Sequence, residues 1–221
     1  MTSLKAQLDQ FREGWQARVG PDVAALVARD NEDVERHLRD RTAKVGATIP
    51  DVTLPDHLGK PTRLLDLLAG RPAIISFYRG GWCPYCSMEL RAYQAALDQI
   101  HEAGGIFIAV SPERPDNALS TAEKNGLKFP VLSDVQGKFA NALGLRFELS
   151  EAIVALYRKF GHDLPMHNGD DKWALPIPAT FVVDRGGRIV LAHTNADYRA
   201  RLEPDEAVRA LRQIGTVAAA K

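Results

Sequence analysis

Ala73-Ile-Ile-Ser-Phe-Tyr78, Arg79-Gly-Gly-Trp82 and Cys83-Pro-Tyr-Cys86 follow one another without a break and decide how this 221-residue chain is read. The first six residues are apolar, β-branched or aromatic apart from one serine, the composition of a buried strand. From Ser87 to Ile100 the apolar residues return at helical spacing. The chain's two cysteines, Cys83 and Cys86, therefore stand where a strand passes into a helix. A helix N-terminus offers free amide hydrogens and a partial positive charge, both of which favour thiolate over thiol. Such placement can bring a cysteine pKa from about 8.5 into the range of roughly 3.5–7.5. Side chains three apart on a first turn lie roughly 5–6 Å from each other, a gap that a disulfide spans. The pattern points to a pair that attacks and cycles. A structural zinc site needs four ligands, usually as two such pairs, and there is no third cysteine. Two inert core cysteines would sit oddly beside Trp82 and Pro84.

Lys plus Arg balance Asp plus Glu at 28 each, so no bulk attraction to nucleic acid or to an anionic membrane is expected. The 45% hydrophobic and 25% charged residues are ordinary for a globular chain. No run approaches the roughly eighteen apolar residues of a membrane span. The stretch Met1-Thr-Ser-Leu-Lys-Ala-Gln7 has no apolar signal core, which makes the cytoplasm the expected location. A cycling disulfide suits that compartment better than a structural one. No cofactor is indicated, because no phosphate-binding glycine loop precedes a helix and Gly186-Gly187 reads as a hairpin turn. No metal is indicated either: His162 and His167, with Asp163, Asp170 and Asp171, match no ligand spacing.

Residues 1–44 read as an N-terminal helical extension. Leu4, Leu8, Phe11 and Trp15 mark one helical face, Gly20-Pro21 breaks it, and Val23, Val27, Val34 and Leu38 mark a second. This helical pair is expected to pack on the domain or against a sister subunit in a homodimer. Residues 45–221 alternate strands and helices. Val52–Leu54 and Thr62–Leu64 form a hairpin, Ile106–Val110 a buried strand, Asp116–Asn125 a helix closed by Gly126, and Phe129–Leu132 a short strand. Gln136–Leu143 reads as helix, Phe181–Asp184 with Arg188–Leu191 as a hairpin, and Pro204 as the start of a closing helix. The sum is an α/β sandwich. An insert at about 150–175 is expected to cover part of the face that carries the cysteines.

From about Gly46 to Ile214 the chain resembles the peroxiredoxin-like branch of the alkyl hydroperoxide reductase and thiol-specific antioxidant family. The resemblance rests on Ile49-Pro50-Asp51, on Phe77 to Cys86, and on Ala179 to Arg188. It implies a thioredoxin-like sandwich, a central mixed sheet flanked by helices. It also implies reduction of hydrogen peroxide or organic hydroperoxides by a cysteine, with electrons returned by a thioredoxin- or glutaredoxin-type donor. The departures are specific. Members carry Pro-x-x-x-Thr-x-x-Cys, whose last position falls on Cys86; here Arg79 replaces the proline and Cys83 the threonine. An arginine that members place just before the Thr-Phe-Ile-Asp-like strand is also missing, and Pro178 stands there. In the family that arginine and threonine polarise the peroxide and orient the sulfur.

Pro178 instead resembles the cis-proline that thioredoxins set across from Cys-x-x-Cys. A cis bond there would leave Ile177 to offer its amide and carbonyl to an extended partner. Placement at the helix end makes Cys83 the exposed first nucleophile and Cys86 its partner, whereas the family alignment gives the peroxide-reactive position to Cys86. Trp82 is expected to shield the sulfurs and offer a docking surface. Arg79 either stabilises a thiolate or peroxide oxygen or is a surface charge. Glu89, one turn past Cys86, is read first as a solvated surface residue and otherwise as a proton shuttle. Two other functions remain beside the peroxidase. One is a thiol-disulfide oxidoreductase acting on protein disulfides, which Pro178 and the lost threonine and arginine favour. The other is a thiol-based copper carrier, whose wider cysteine spacing and added histidine this chain lacks.

Overall fold

The computed structural model describes residues 2–219; the last two residues of the expected domain, 220 and 221, lie outside it. A helical run α1 (Leu4–Leu38) is followed by the hairpin strands β1 (Thr53–Pro55) and β2 (Pro61–Arg63) and a short helix α2 (Leu64–Leu68). Then come β3 (Ala73–Phe77), α3 (Pro84–Ala95), α4 (Leu97–Glu102), β4 (Ile106–Ser111), α5 (Pro115–Asn125) and β5 (Val131–Ser133). The second half holds α6 (Lys138–Ala142), β6 (Arg146–Glu148), α7 (Glu151–Lys159), α8 (Leu164–Asn168), β7 (Ala174–Pro176), β8 (Ala179–Val183), β9 (Ile189–Thr194) and α9 (Pro204–Ala219). Five strands form the central sheet in the order β5-β4-β3-β8-β9. The first three run parallel, β8 lies antiparallel to β3, and β9 lies antiparallel to β8. This is the α/β sandwich around a mixed sheet that the resemblance implies.

Strand periodicity divides the core into two layers. Ile74 and Tyr78 join α3, α9 and the first arm of α1 on one face of the sheet, where Leu4, Leu8, Leu90, Tyr93, Phe107 and Leu211 are buried together. Ala73, Ile75 and Phe77 face the other layer, with Leu64, Leu68, Phe139 and Phe181. β3 is buried along its whole length because both faces are covered. α1 is broken at Gly20 (φ 80°, ψ 171°), as Gly20-Pro21 predicts, and Pro21 opens the second arm. The first arm lays Leu4 and Leu8 against α3, and Phe11 meets Tyr85 edge-on at 5.1 Å. The Glu203 carboxylate, at the foot of α9, accepts the Leu4 and Lys5 amides and fixes the start of that arm.

Two elements are displaced from their predicted positions. The strand expected at Phe129–Leu132 begins at Val131, because Pro130 has no N–H to pair and enters the ladder only by accepting from the Ala109 amide. The helix expected from Gln136 begins at Lys138. Gln136 adopts a left-handed φ of 73°, and the Asp134 carboxylate instead accepts the amides of Phe139 and Ala140.

Candidate active site

The two cysteines, Arg79 and Trp82 are positioned by the passage from β3 into α3. Past Tyr78 the chain turns through Arg79, Gly80 and Gly81, and the Cys83 amide donates back to the Gly80 carbonyl at 3.1 Å. Both glycines are required. Gly80 has φ 149°, and a Cβ there would stand 2.2 Å from the Trp82 indole nitrogen. A Cβ on Gly81 would stand 1.9 Å from the Thr121 hydroxyl. Cys83 is the N-cap of α3, Pro84 takes the first helical position, and Cys86 follows within the first turn.

The two sulfurs are free thiols flanked by two guanidinium groups. Cys86 Sγ accepts from the Arg79 backbone N–H at 3.4 Å and from Arg201 Nη2 at 3.5 Å. Cys83 Sγ lies 4.0 Å from Arg79 Nη1. Aromatic rings hold the Arg79 guanidinium, with Tyr198 at 4.0 Å, Trp82 at 5.0 Å and Tyr157 at 5.7 Å. Arg201 forms a short ion pair with Glu89, and its Nε also donates to the Tyr198 carbonyl at 2.9 Å. Ser76 and Thr180 donate their hydroxyls to Glu89 Oε1, each at 3.4 Å. Cys86, Arg201 and Glu89 thus form one buried chain reaching into the sheet.

Burial opposes a thiolate on Cys83, but the hydrogen bond from Cys86 and the charges of Arg79 and Arg201 outweigh it and bring its pKa to about 5. Burial, together with the hydrogen bond and charge shared with Cys83, holds Cys86 well above the ordinary thiol range. The pair carries a single negative charge at neutral pH, centred on Cys83, with Cys86 keeping a proton. Burial also raises the Glu89 carboxyl, against the pull of Arg201.

Several sequence expectations need correction. Cys83 is not exposed: 2% of its surface is accessible, and of the amides at the helix end only that of Cys86 acts on its sulfur, as the weakest of the causes that lower its pKa. The neighbouring sulfur and the two guanidinium groups supply most of what the helix terminus was expected to supply. Glu89 is not a solvated surface residue; it is 1% exposed, because the turn past Cys86 faces the sheet rather than solvent. Arg79 is no surface charge either, at 4% exposed. The Ile177–Pro178 bond is not cis. The Ile177 amide, between β7 and β8, is already committed to the Leu145 carbonyl at 2.9 Å, so it is not free for a partner. The Ile177 side chain is buried in the second core layer, and Pro178 lines a small cavity beside Arg79. The insert does lie over the cysteine face. Its Tyr157 and His162 pack on the Trp82 ring with centroids at 5.6 and 4.9 Å.

Arg201 was not legible beforehand. It lies in the irregular segment between β9 and α9, in the run Tyr198-Arg-Ala-Arg201, between the expected hairpin and the closing helix. The one available hint was the arginine missing before β8. A guanidinium does reach Cys86, but from a different stretch of chain.

The AhpC/TSA family profile matches residues 45–192. This chain belongs to the AhpC/TSA family. It is an oxidoreductase of the peroxiredoxin kind, with the fold of that group. Peroxidoxin BcpB of Mycobacterium tuberculosis, a solved structure, superposes with a TM-score of 0.61 at 25% identity, over 77% of this chain and 97% of that one. Peroxiredoxin Bcp of Escherichia coli is 28% identical over 107 residues, 48% of this chain and 68% of the relative. The thiol-disulfide oxidoreductase ResA of Geobacillus thermodenitrificans is 29% identical over 147 residues, 66% of each chain. Among the described residues no helix is long and apolar enough to cross a membrane.

Proposed function

We propose that this AhpC/TSA member reduces hydrogen peroxide and organic hydroperoxides through the Cys83–Cys86 pair, and that a thioredoxin- or glutaredoxin-type dithiol in the cytoplasm re-reduces it. The observation that carries the proposal is the pair of neighbouring sulfurs set between the guanidinium groups of Arg79 and Arg201. Cys83 thiolate attacks the peroxide, forming an S–O bond as the O–O bond breaks. The departing alkoxide takes the Cys86 proton and leaves as alcohol, or as water from hydrogen peroxide. Cys86, now a thiolate, displaces hydroxide from the Cys83 sulfenic acid, and that hydroxide takes a proton from solvent. The disulfide so formed accepts two electrons from the donor dithiol. Arg79, held by Tyr198 and Trp82, stabilises the charge that develops on oxygen in this reading. Glu89 acts through Arg201 as a positioning residue.

A specific contact favours the opposite order of attack. Cys86 Sγ receives two donors, the Arg79 amide and Arg201, and occupies the position that the family alignment gives to the peroxide-reactive sulfur. The likeness to ResA favours a second activity, reduction of protein disulfides. The committed Ile177 amide weighs against that activity, since an extended partner finds no free donor there. The deciding assay supplies thioredoxin, its reductase and NADPH, with hydrogen peroxide, a bulky organic hydroperoxide or insulin as oxidant. Turnover with peroxides and little with insulin is expected; turnover with insulin alone would replace the peroxidase reading with disulfide reduction.

A further inference from the structure

Arg79 forms part of the wall of a cavity of about 430 Å³, its opening included. The second arm of α1 supplies Val27, Asp30 and Val34 to that wall, and the insert supplies Ile153 and Tyr157. These α1 residues precede the stretch 45–192 that the family profile matches, so this wall is the chain's own addition. Val27 and Val34 stand seven residues apart, two turns along one helical face. With Ile153 they are buried and present only hydrocarbon, whereas Asp30 is half-buried. The Asp30 carboxylate accepts the Ser150 hydroxyl at 2.8 Å, and Ser150 Oγ in turn accepts the Ile153 amide in the first turn of α7. Arm and insert are thereby tied together beside the cavity. The cavity reaches the cysteine pair through Arg79. Its Nη1 stands 4.0 Å from Cys83 Sγ, and the same guanidinium lies 4.0 Å over the ring of Tyr198, which also lines the cavity. Both cysteines are buried, so a substrate has to be led to them.

We propose that this cavity seats the hydrocarbon group of a compact organic hydroperoxide, whose O–O group then lies at Arg79 beside Cys83, so that the second arm of α1 takes part in choosing the substrate. The inference rests on the peroxidase reading and deepens it. An apolar recess with a guanidinium in its wall suits a molecule that is hydrocarbon at one end and peroxide at the other. Attack by Cys83 forms the S–O bond and breaks the O–O bond as described above. The alcohol that leaves with the Cys86 proton carries the hydrocarbon group back out through the cavity. Hydrogen peroxide has no such group and draws nothing from these walls.

The test measures, by stopped flow on pre-reduced protein, the second-order rate constants for tert-butyl hydroperoxide and for hydrogen peroxide in wild type and Val34→Phe. Phenylalanine fills the cavity and should lower the ratio of the first constant to the second by about tenfold, the order of discrimination that one added group commands in an apolar pocket. A purely structural role for Val34 would disturb Arg79 and slow both peroxides alike, leaving the ratio where it was. An unmoved ratio in a protein that still consumes hydrogen peroxide therefore overturns the proposal. If Val34→Phe does not fold, Val34→Ala decides. It widens the cavity and should raise the rate constant for cumene hydroperoxide relative to that for tert-butyl hydroperoxide by about threefold, and an unmoved ratio refutes the assignment. Wild type that consumes no peroxide at all would instead sink the peroxidase reading, and this proposal with it. Hydrogen peroxide consumption by wild type tells the two failures apart.

Discussion

Arg79 reaches the cysteines twice, with its backbone amide at Cys86 and its guanidinium at Cys83, and both contacts favour a charged sulfur. Because the Cys83 pKa is brought down to about 5, its thiolate predominates at neutral pH. Alkylation of the reduced protein by iodoacetamide should therefore rise as the pH increases through about 5 and be flat by neutrality. An ordinary thiol would rise through about 8.5. Arg79→Met removes one cation and should move that midpoint upward by about one unit. A midpoint left in place would show that the neighbouring sulfur and Arg201 stabilise the thiolate without Arg79. Arg201 answers a different question. Replacing it by methionine strands the Glu89 carboxylate in the core, which should cost about 3–5 kcal/mol in urea unfolding. Adding Glu89→Gln should recover much of that loss, because no unpaired charge then stays buried.

At the scale of elements, the β3–α3 junction was legible because its signals agree: an apolar run, a cysteine pair, and a proline at the first helical position. The two arms of α1 were legible for the same reason, through a repeated apolar stripe and a Gly-Pro break. What the sequence hid were contacts decided by tertiary approach. Glu89 is charged and lies on a helix, so local pattern assigns it to solvent; only the approach of the β9–α9 segment gives it Arg201 and a place in the core. Pro178 was misread because its neighbourhood on paper resembles another arrangement, while the Ile177 amide already had a strand partner in Leu145. The first arm of α1 contributes directly to the layer that holds the cysteines. Leu8→Ala should destabilise the protein by about 2–5 kcal/mol, read by chemical denaturation. A loss well below about 1 kcal/mol would mean that the arm is only loosely docked.

Over the whole molecule, the sheet and its two core layers are complete without any bond between the sulfurs, and the cysteines occupy the first turn of a helix already formed. Oxidation should therefore yield an intramolecular Cys83–Cys86 disulfide with the far-ultraviolet circular dichroism preserved, and mass spectrometry after alkylation would detect the bridge. A spectrum that collapses on oxidation would mean that the free thiols hold the fold. The catalytic cycle itself is tested most directly by single-turnover peroxide consumption in wild type, Cys83→Ser and Cys86→Ser. Cys83→Ser should not react, having lost the attacking thiolate, while Cys86→Ser should consume about one equivalent and stop at the sulfenic acid. The reverse pattern, with Cys86→Ser inert and Cys83→Ser consuming one equivalent, would contradict the account and assign the attack to Cys86.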